Sequence, residues 1–217
     1  MNQQTLNLGA TRDYGNCPKK RQARQDTIIT QYRKYFGHSL PEDKQYWTMC
    51  GNCTSDDGTL NEGSELGQLV SEGLITYNQF HGVEIETDIY NKNILCNDEA
   101  NWYCGDFHNT LSSAEKFNPG LVNCDLIYMP KIGAIYLAKI MALLHSAVDE
   151  VLLIGNFILR TRHHVSGGDD IIRYLDKCPQ FHVAYDSGQW IMNDAYYWYM
   201  GTGGDQTKMG TVIFVKK

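Results

Sequence analysis

No apolar run in the sequence approaches the ~18 residues that a membrane-spanning helix needs, so no membrane span is expected. The opening stretch MNQQTLNLGATRDYG is polar and has no apolar core of the kind a secretory signal carries, and the chain is expected to be cytosolic. Positive charge is also short: 19 Lys and Arg stand against 25 Asp and Glu, a formal net charge of −6. A molecule whose whole surface grips nucleic acid or anionic lipid needs the opposite balance, although a local basic patch is compatible with it. Seven cysteines, an odd count, suit a reducing compartment better than a disulfide framework. Cys50 and Cys53 form a CxxC, but no second pair lies at zinc-like spacing, and no thioredoxin-type strand and helix surround it; no metal site is expected. Internal repeats, low-complexity tracts and a GxGxxG after the first predicted strand are absent too, and the last absence disfavours a dinucleotide-dependent dehydrogenase.

What is present is enough apolar residue, 42% of 217, to bury one core in one domain. Residues 1–44 differ from the rest. Arg12, Lys19, Lys20, Arg21, Arg24, Arg33 and Lys34 face only Asp13 and Asp26, which makes a basic stretch in an acidic chain. Within it, Ile28, Ile29, Tyr32, Tyr35 and Phe36 fall at helical spacing with Gly37 as a stop, so a partly helical extension is expected ahead of a domain spanning 45–217.

From residue 45 the periodicity alternates between strand and helix. Strands are predicted at 45–52, 80–86, 100–107, 120–130 and 149–159; helices at 63–75, capped by Ser64, at 132–148 and at 169–178. The near-continuous apolar run DEVLLIGNFIL implies a strand covered on both faces. FHVAYDS, AYYWYMG and GTVIFVKK read as further strands, with Gly201, Gly203 and Gly204 turning a hairpin between the last two. The order describes an α/β fold: a doubly wound, mostly parallel sheet flanked by helices, closed by a C-terminal antiparallel hairpin. In such sheets ligands lie beyond the carboxyl ends of the strands, and FHGVEIE brings Glu84 and Glu86 to that edge.

Three strand ends resemble those of class I S-adenosylmethionine-dependent methyltransferases, over about residues 45–217. HGVEIE is similar to the second strand of that family, whose terminal acid takes both ribose hydroxyls; Glu84 has that place, with Ile85 beside it. WYCGDF is similar to the third, where Asp106 would receive the adenine amino group and Phe107 would cover the ring, though Asp106 also reads as a cap for the next turn, with Asn109 and Thr110 as partners. CDLIYMP is similar to the fourth. Asp125 is expected to open that strand and Tyr128 to end it near the substrate, the two matching the Asp and Tyr of the Asp-Pro-Pro-Tyr pattern of amino-group methyltransferases with Leu126 and Ile127 in place of the prolines. The departure is at the first strand: a compact glycine-rich turn is replaced by the long loop MCGNCTSDDGTLNEGSEL, where Cys50, Gly51, Asn52 and Glu65 are the candidates for the methionine portion.

The resemblance implies S-adenosyl-L-methionine as cofactor and methyl transfer to an acceptor it does not name, with Asp125 and Tyr128 as the residues facing that acceptor. The acceptor side has a second feature. Arg160, Arg162, His163 and His164 follow the fifth strand and, with the N-terminal Lys and Arg residues, would make a basic rim suited to a phosphate-bearing or nucleic-acid substrate. The alternative is a non-catalytic interaction protein on the same scaffold, its cofactor site eroded by the unusual first loop.

Overall fold

The computed structural model describes residues 18–126, 130–159, 168–200 and 207–217. Seven strands make one sheet: β1 (Gln45–Met49), β2 (Phe80–Glu84), β3 (Asn101–Cys104), β4 (Pro119–Leu126), β5 (Val151–Leu159), β6 (Trp190–Met200) and β7 (Thr207–Lys216). Their order across the sheet is β3-β2-β1-β4-β5-β7-β6. The first five are parallel; β7 runs antiparallel to β5, and β6 antiparallel to β7, so the hairpin expected at the C-terminus is formed. Its glycine turn at 201–206 lies outside the described residues.

Side-chain alternation divides the core in two. Trp47, Val83, Val122, Cys124, Leu153, Phe157 and Phe214 face one layer, where Leu137, Met141 and Leu144 of α6 (Pro130–Ala147) pack with Phe181 of α8 (Pro179–Tyr185). Tyr46, Phe80, Leu121, Leu152, Ile154, Ile213 and Val215 face the other, against Leu66 and Leu69 of α3 (Glu65–Ser71). Ile28, Ile29 and Tyr32 belong to this second core, so the basic N-terminal stretch is packed on the sheet. It is helical as α1 (Pro18–Arg24) and α2 (Thr30–Phe36), joined by a π-helical turn at Gln25–Ile29. β5 is buried throughout its described side chains, Val151 to Phe157, as its continuous apolar run implied. Gly155 lets α6 approach: a Cβ there would meet the Leu137 side chain at 2.7 Å.

Two local expectations are overturned by the structure. FHVAYDS is α8 rather than a strand: Pro179 occupies the first turn, where a missing N–H costs nothing, and Phe181 and Ala184 are buried at helical spacing, which outweighs the alternation of Phe181, Val183 and Tyr185. Asp125 does not open the fourth strand. β4 runs from Pro119 to Leu126, so Asp125 stands at its carboxyl end, and Pro130, expected to end that strand, is the first residue of α6. The short helices α4 (Thr87–Cys96) and α5 (Phe107–Ser112) have weak sequence signals; of α4 only Asn93 is buried. The remaining helix, α7 (Gly168–Leu175), precedes α8.

Candidate functional site

The carboxyl ends of β1 to β4 meet along one edge, and alternation decides which side chains share a face there. Phe80 and Tyr46 pack on the α3 side, so Glu84, four residues after Phe80, and Cys50, four after Tyr46, project to that side; Asp125, four after Leu121, does the same. The Cys50 N–H continues the sheet by donating to the Val83 carbonyl at 3.0 Å. Glu65 and Glu84 both act on the Cys50 thiol, which its hydrogen bond to Cys53, burial and these carboxylates together push well up.

Glu84 is half-buried, and burial raises its pKa above the ordinary carboxylate value. One oxygen, Oε1, accepts the Glu86 N–H at 2.9 Å, and the Ile85 N–H also acts on the carboxylate. Beside it Ile85 is 70% exposed, an apolar side chain left open next to a carboxylate. Across the next strand, the Gly105 N–H donates to the Glu84 carbonyl at 3.0 Å. Gly105 has φ of 153°, a conformation that L side chains rarely adopt, and it delivers the chain to Asp106.

Asp106 caps α5: Oδ1 accepts the Asn109 N–H at 2.9 Å, while Oδ2 accepts the Tyr136 hydroxyl at 2.9 Å. Tyr136 also accepts the His108 N–H at 2.8 Å, so α6 is fastened to the start of α5. Burial, opposed by the His108 contact and aided by Asp106, raises the Tyr136 phenol well above its ordinary value. Glu84 ends β2, while Asp106 stands two residues beyond the end of β3 as the cap of α5, so the first is held by its own turn and the second by the α5 and α6 layer. Asp106 is exposed, and a carboxylate with two bonds keeps acceptor capacity for more. Phe107 is buried in the α6-side core.

Asp125 has an unanticipated partner. Lys20, 105 residues away on α1, donates to its Oδ2 at 2.7 Å, with about a fifth of each side chain exposed. Burial alone would lower the Lys20 pKa; the carboxylate beside it reverses this, and the ammonium is raised above its ordinary value. Arg24, one turn on and only 4% exposed, donates to the Gly63 carbonyl at 3.1 Å and to Gln68 Oε1 at 2.9 Å. Arg33 donates to the Glu72 carbonyl at 2.5 Å. These three cations of the expected basic rim are thus spent on α3 and the strand edge; Lys19, Arg21 and Lys34 are exposed. Arg12, Tyr128, Arg160, Arg162, His163 and His164 lie outside the described residues.

The first loop is ordered by its own bonds. Asn93 of α4, fully buried, accepts the Cys53 N–H at 2.9 Å and donates to the Gly51 carbonyl at 3.1 Å. Thr54 and Leu60 form an antiparallel bridge around a turn in which Asp57 accepts the Thr59 N–H. Gly51 and Asn52 are exposed, and nothing lies within 4 Å of where a Gly51 Cβ would be. Glu65 turns inward: its Oε1 accepts the Tyr46 hydroxyl and, at 3.2 Å, the Asn123 amide. From there Asn156 donates to Asn123 at 2.9 Å and Thr211 to Asn156 at 2.6 Å, a buried polar chain from α3 to β7.

No protein-family model matches the chain, and no curated protein matches its sequence. Solved structures match it by fold. TYW2 of M. jannaschii, crystallised with AdoMet, aligns over 87% of this chain and 76% of its own at TM-score 0.50 and 8% identity. Trm5b of Pyrococcus abyssi aligns over 94% of this chain, at TM-score 0.51 and 11% identity, and this chain spans 51% of it. A TehB-like SAM-dependent methyltransferase of Corynebacterium glutamicum aligns more loosely, over 82% and 83%, at TM-score 0.45 and 15% identity. The fold is the Rossmann-like one of these structures. At such identities the likeness is one of fold alone, and roles rest on this chain's own residues.

Lys20, Asn93 and Tyr136 were not legible as site residues. Lys20 is one of several basic residues on a helix whose docking is not local, Asn93 sits in a weakly patterned helix, and Tyr136 joins α6 to a strand end through a contact thirty residues apart in sequence. Among the described residues no group of three or more His, Cys, Asp or Glu could hold a metal ion, and no helix is long and apolar enough to cross a membrane.

Proposed function

We propose that the carboxyl edge of β1 to β4 binds S-adenosylmethionine and that the protein transfers its methyl group to an acceptor. The observation that carries this reading is the half-buried Glu84 carboxylate at the end of β2, held among the described residues only by backbone N–H groups of its own turn, beside the open Ile85 side chain. A ribose diol needs two acceptor sites, which an ionised carboxylate offers at once. Asp106, one strand over, has lone pairs left for an adenine amino group. The open space at Gly51 admits close approach to the backbone after β1. Bound there, the cofactor supplies an electrophilic methyl on a sulfonium; the chain's part is to hold and align it, since methyl transfer depends chiefly on in-line proximity.

Asp125, at the end of β4, is the carboxylate we assign to the acceptor side, with Tyr128 following it in the sequence; Lys20 is its ion-pair partner. A phosphate-bearing acceptor would meet the exposed Lys19 and Arg21 on the same helix. The chain is taken to act in the cytosol. The alternative, a non-catalytic interaction protein, draws on the ordered, non-glycine-rich first loop and on Lys20 already filling Asp125.

Calorimetric titration with S-adenosylmethionine and S-adenosylhomocysteine separates the two. The proposal expects saturable binding by the wild type, weakened at least ~10-fold, or ~1.4 kcal/mol, in Glu84→Ala. Absence of heat and of any thermal shift with either ligand in the wild type would favour the interaction protein.

A further inference from the structure

We propose that Cys50 and Cys53 form a redox-active dithiol at the mouth of this edge, a modification site for disulfides of the glutathione class. The two sulfur atoms lie 3.3 Å apart, and one thiol donates to the other. A disulfide requires ~2.05 Å, so the sulfurs need close only by about an ångström. The approach is imposed by the fold. Cys50 is fixed by its backbone bond to Val83, Cys53 by the Asn93 carboxamide, and the same carboxamide holds the Gly51 carbonyl between them. A pair so constrained has little entropy left to lose on bonding.

Access is set by the two residues that bridge the pair. Both thiols are buried, at 3% and 1% exposure, yet Gly51 and Asn52 above them are exposed, so a local opening of this bridge uncovers sulfur without unfolding the sheet. The reaction is thiol-disulfide exchange. One thiolate attacks glutathione disulfide, forming a mixed disulfide and releasing one glutathione thiolate; the second cysteine sulfur displaces the other glutathione. Two protein S–H bonds are lost and one S–S bond forms, with both electrons and both protons ending on two molecules of glutathione. The protonated state in which burial and its neighbours hold the Cys50 thiol makes the exchange slow near neutrality and faster in alkali. Because Cys50, Gly51 and Asn52 border the edge beside Glu84, oxidation fixes the backbone that a ligand there would touch.

The test uses the full chain and needs no ligand. The protein is incubated with glutathione disulfide, its remaining thiols are alkylated under denaturing conditions, and it is digested with trypsin without reduction. Cleavage after Lys44 and Lys92 leaves both cysteines on one peptide with no third. The expected result is loss of both alkyl labels from that peptide, with its mass lower by two hydrogens, and recovery of both labels after dithiothreitol. In Cys53→Ser the same peptide is expected to hold Cys50 either alkylated or joined to glutathione, never lighter by two hydrogens. Cys96 lies close enough to feel Cys53, so Cys96→Ser serves as the control and should leave the wild-type result intact. Two labels on the wild-type peptide after prolonged oxidation at alkaline pH, or a cross-link from it to the Cys96 peptide, would overturn the proposal.

Discussion

Glu84, His81 and Asn93 carry three different kinds of dependence. Glu84→Gln keeps the shape and removes the charge, so S-adenosylhomocysteine should bind more weakly by ~1.5–3 kcal/mol, the worth of hydrogen bonds to a charged group, while the unfolding midpoint barely moves. His81 stacks on Trp47 at 4.4 Å and meets Tyr103 Oη at 3.0 Å, and burial lowers its pKa from 6.5 to about 4. The unfolded chain therefore takes a proton between those values that the folded chain refuses. Stability is full above about pH 6.5 and is lost as pH falls toward 4; from pH 7 to 5 this one group should cost about 2 kcal/mol, and His81→Phe should unfold in urea with that much less acid sensitivity. Asn93 satisfies a backbone N–H and a backbone carbonyl from inside the fold. Asn93→Ala should lose ~2–3 kcal/mol by urea denaturation, because it leaves buried backbone groups unpaired.

Helix ends and strand ends show where sequence pattern suffices and where it fails. Ser64 was readable as a cap, and its hydroxyl does accept the Gly67 N–H at 3.1 Å; Ser64→Ala should cost ~1 kcal/mol, measurable as a shift in denaturation midpoint. Gly67 was not readable in its real role: a Cβ there would meet the Asn61 carbonyl oxygen at 2.5 Å, because the first loop lies against α3. Such a requirement comes from an approach between segments that no local period encodes. α8 shows a genuine conflict, since Phe181, Val183 and Tyr185 alternate while Pro179, Phe181 and Ala184 fit a helix, and burial on the α6 side chose the helix. Asp125 reads in the sequence as the start of its strand, whereas β4 already begins at Pro119 and Asp125 stands next to its last residue, Leu126.

Over the whole molecule, the parallel core and the closing hairpin were legible because β5 is apolar without interruption and because the intervening segments are long enough for crossovers. The position of Glu84 at the end of β2 followed from the same reading, whereas β3 ends at Cys104 and leaves Asp106 to cap α5. What was not legible is how the N-terminal helices close over the edge, placing Lys20 on Asp125 and burying Arg24, since those contacts join residues 39 to 105 positions apart. The central claim is that this edge is an adenosine site, and a crystal structure with S-adenosylhomocysteine tests it most directly. Both ribose hydroxyls are expected on the Glu84 carboxylate and the adenine beside Asp106; a ligand seated elsewhere, or crystals that take up none at millimolar concentration, would rule the site out.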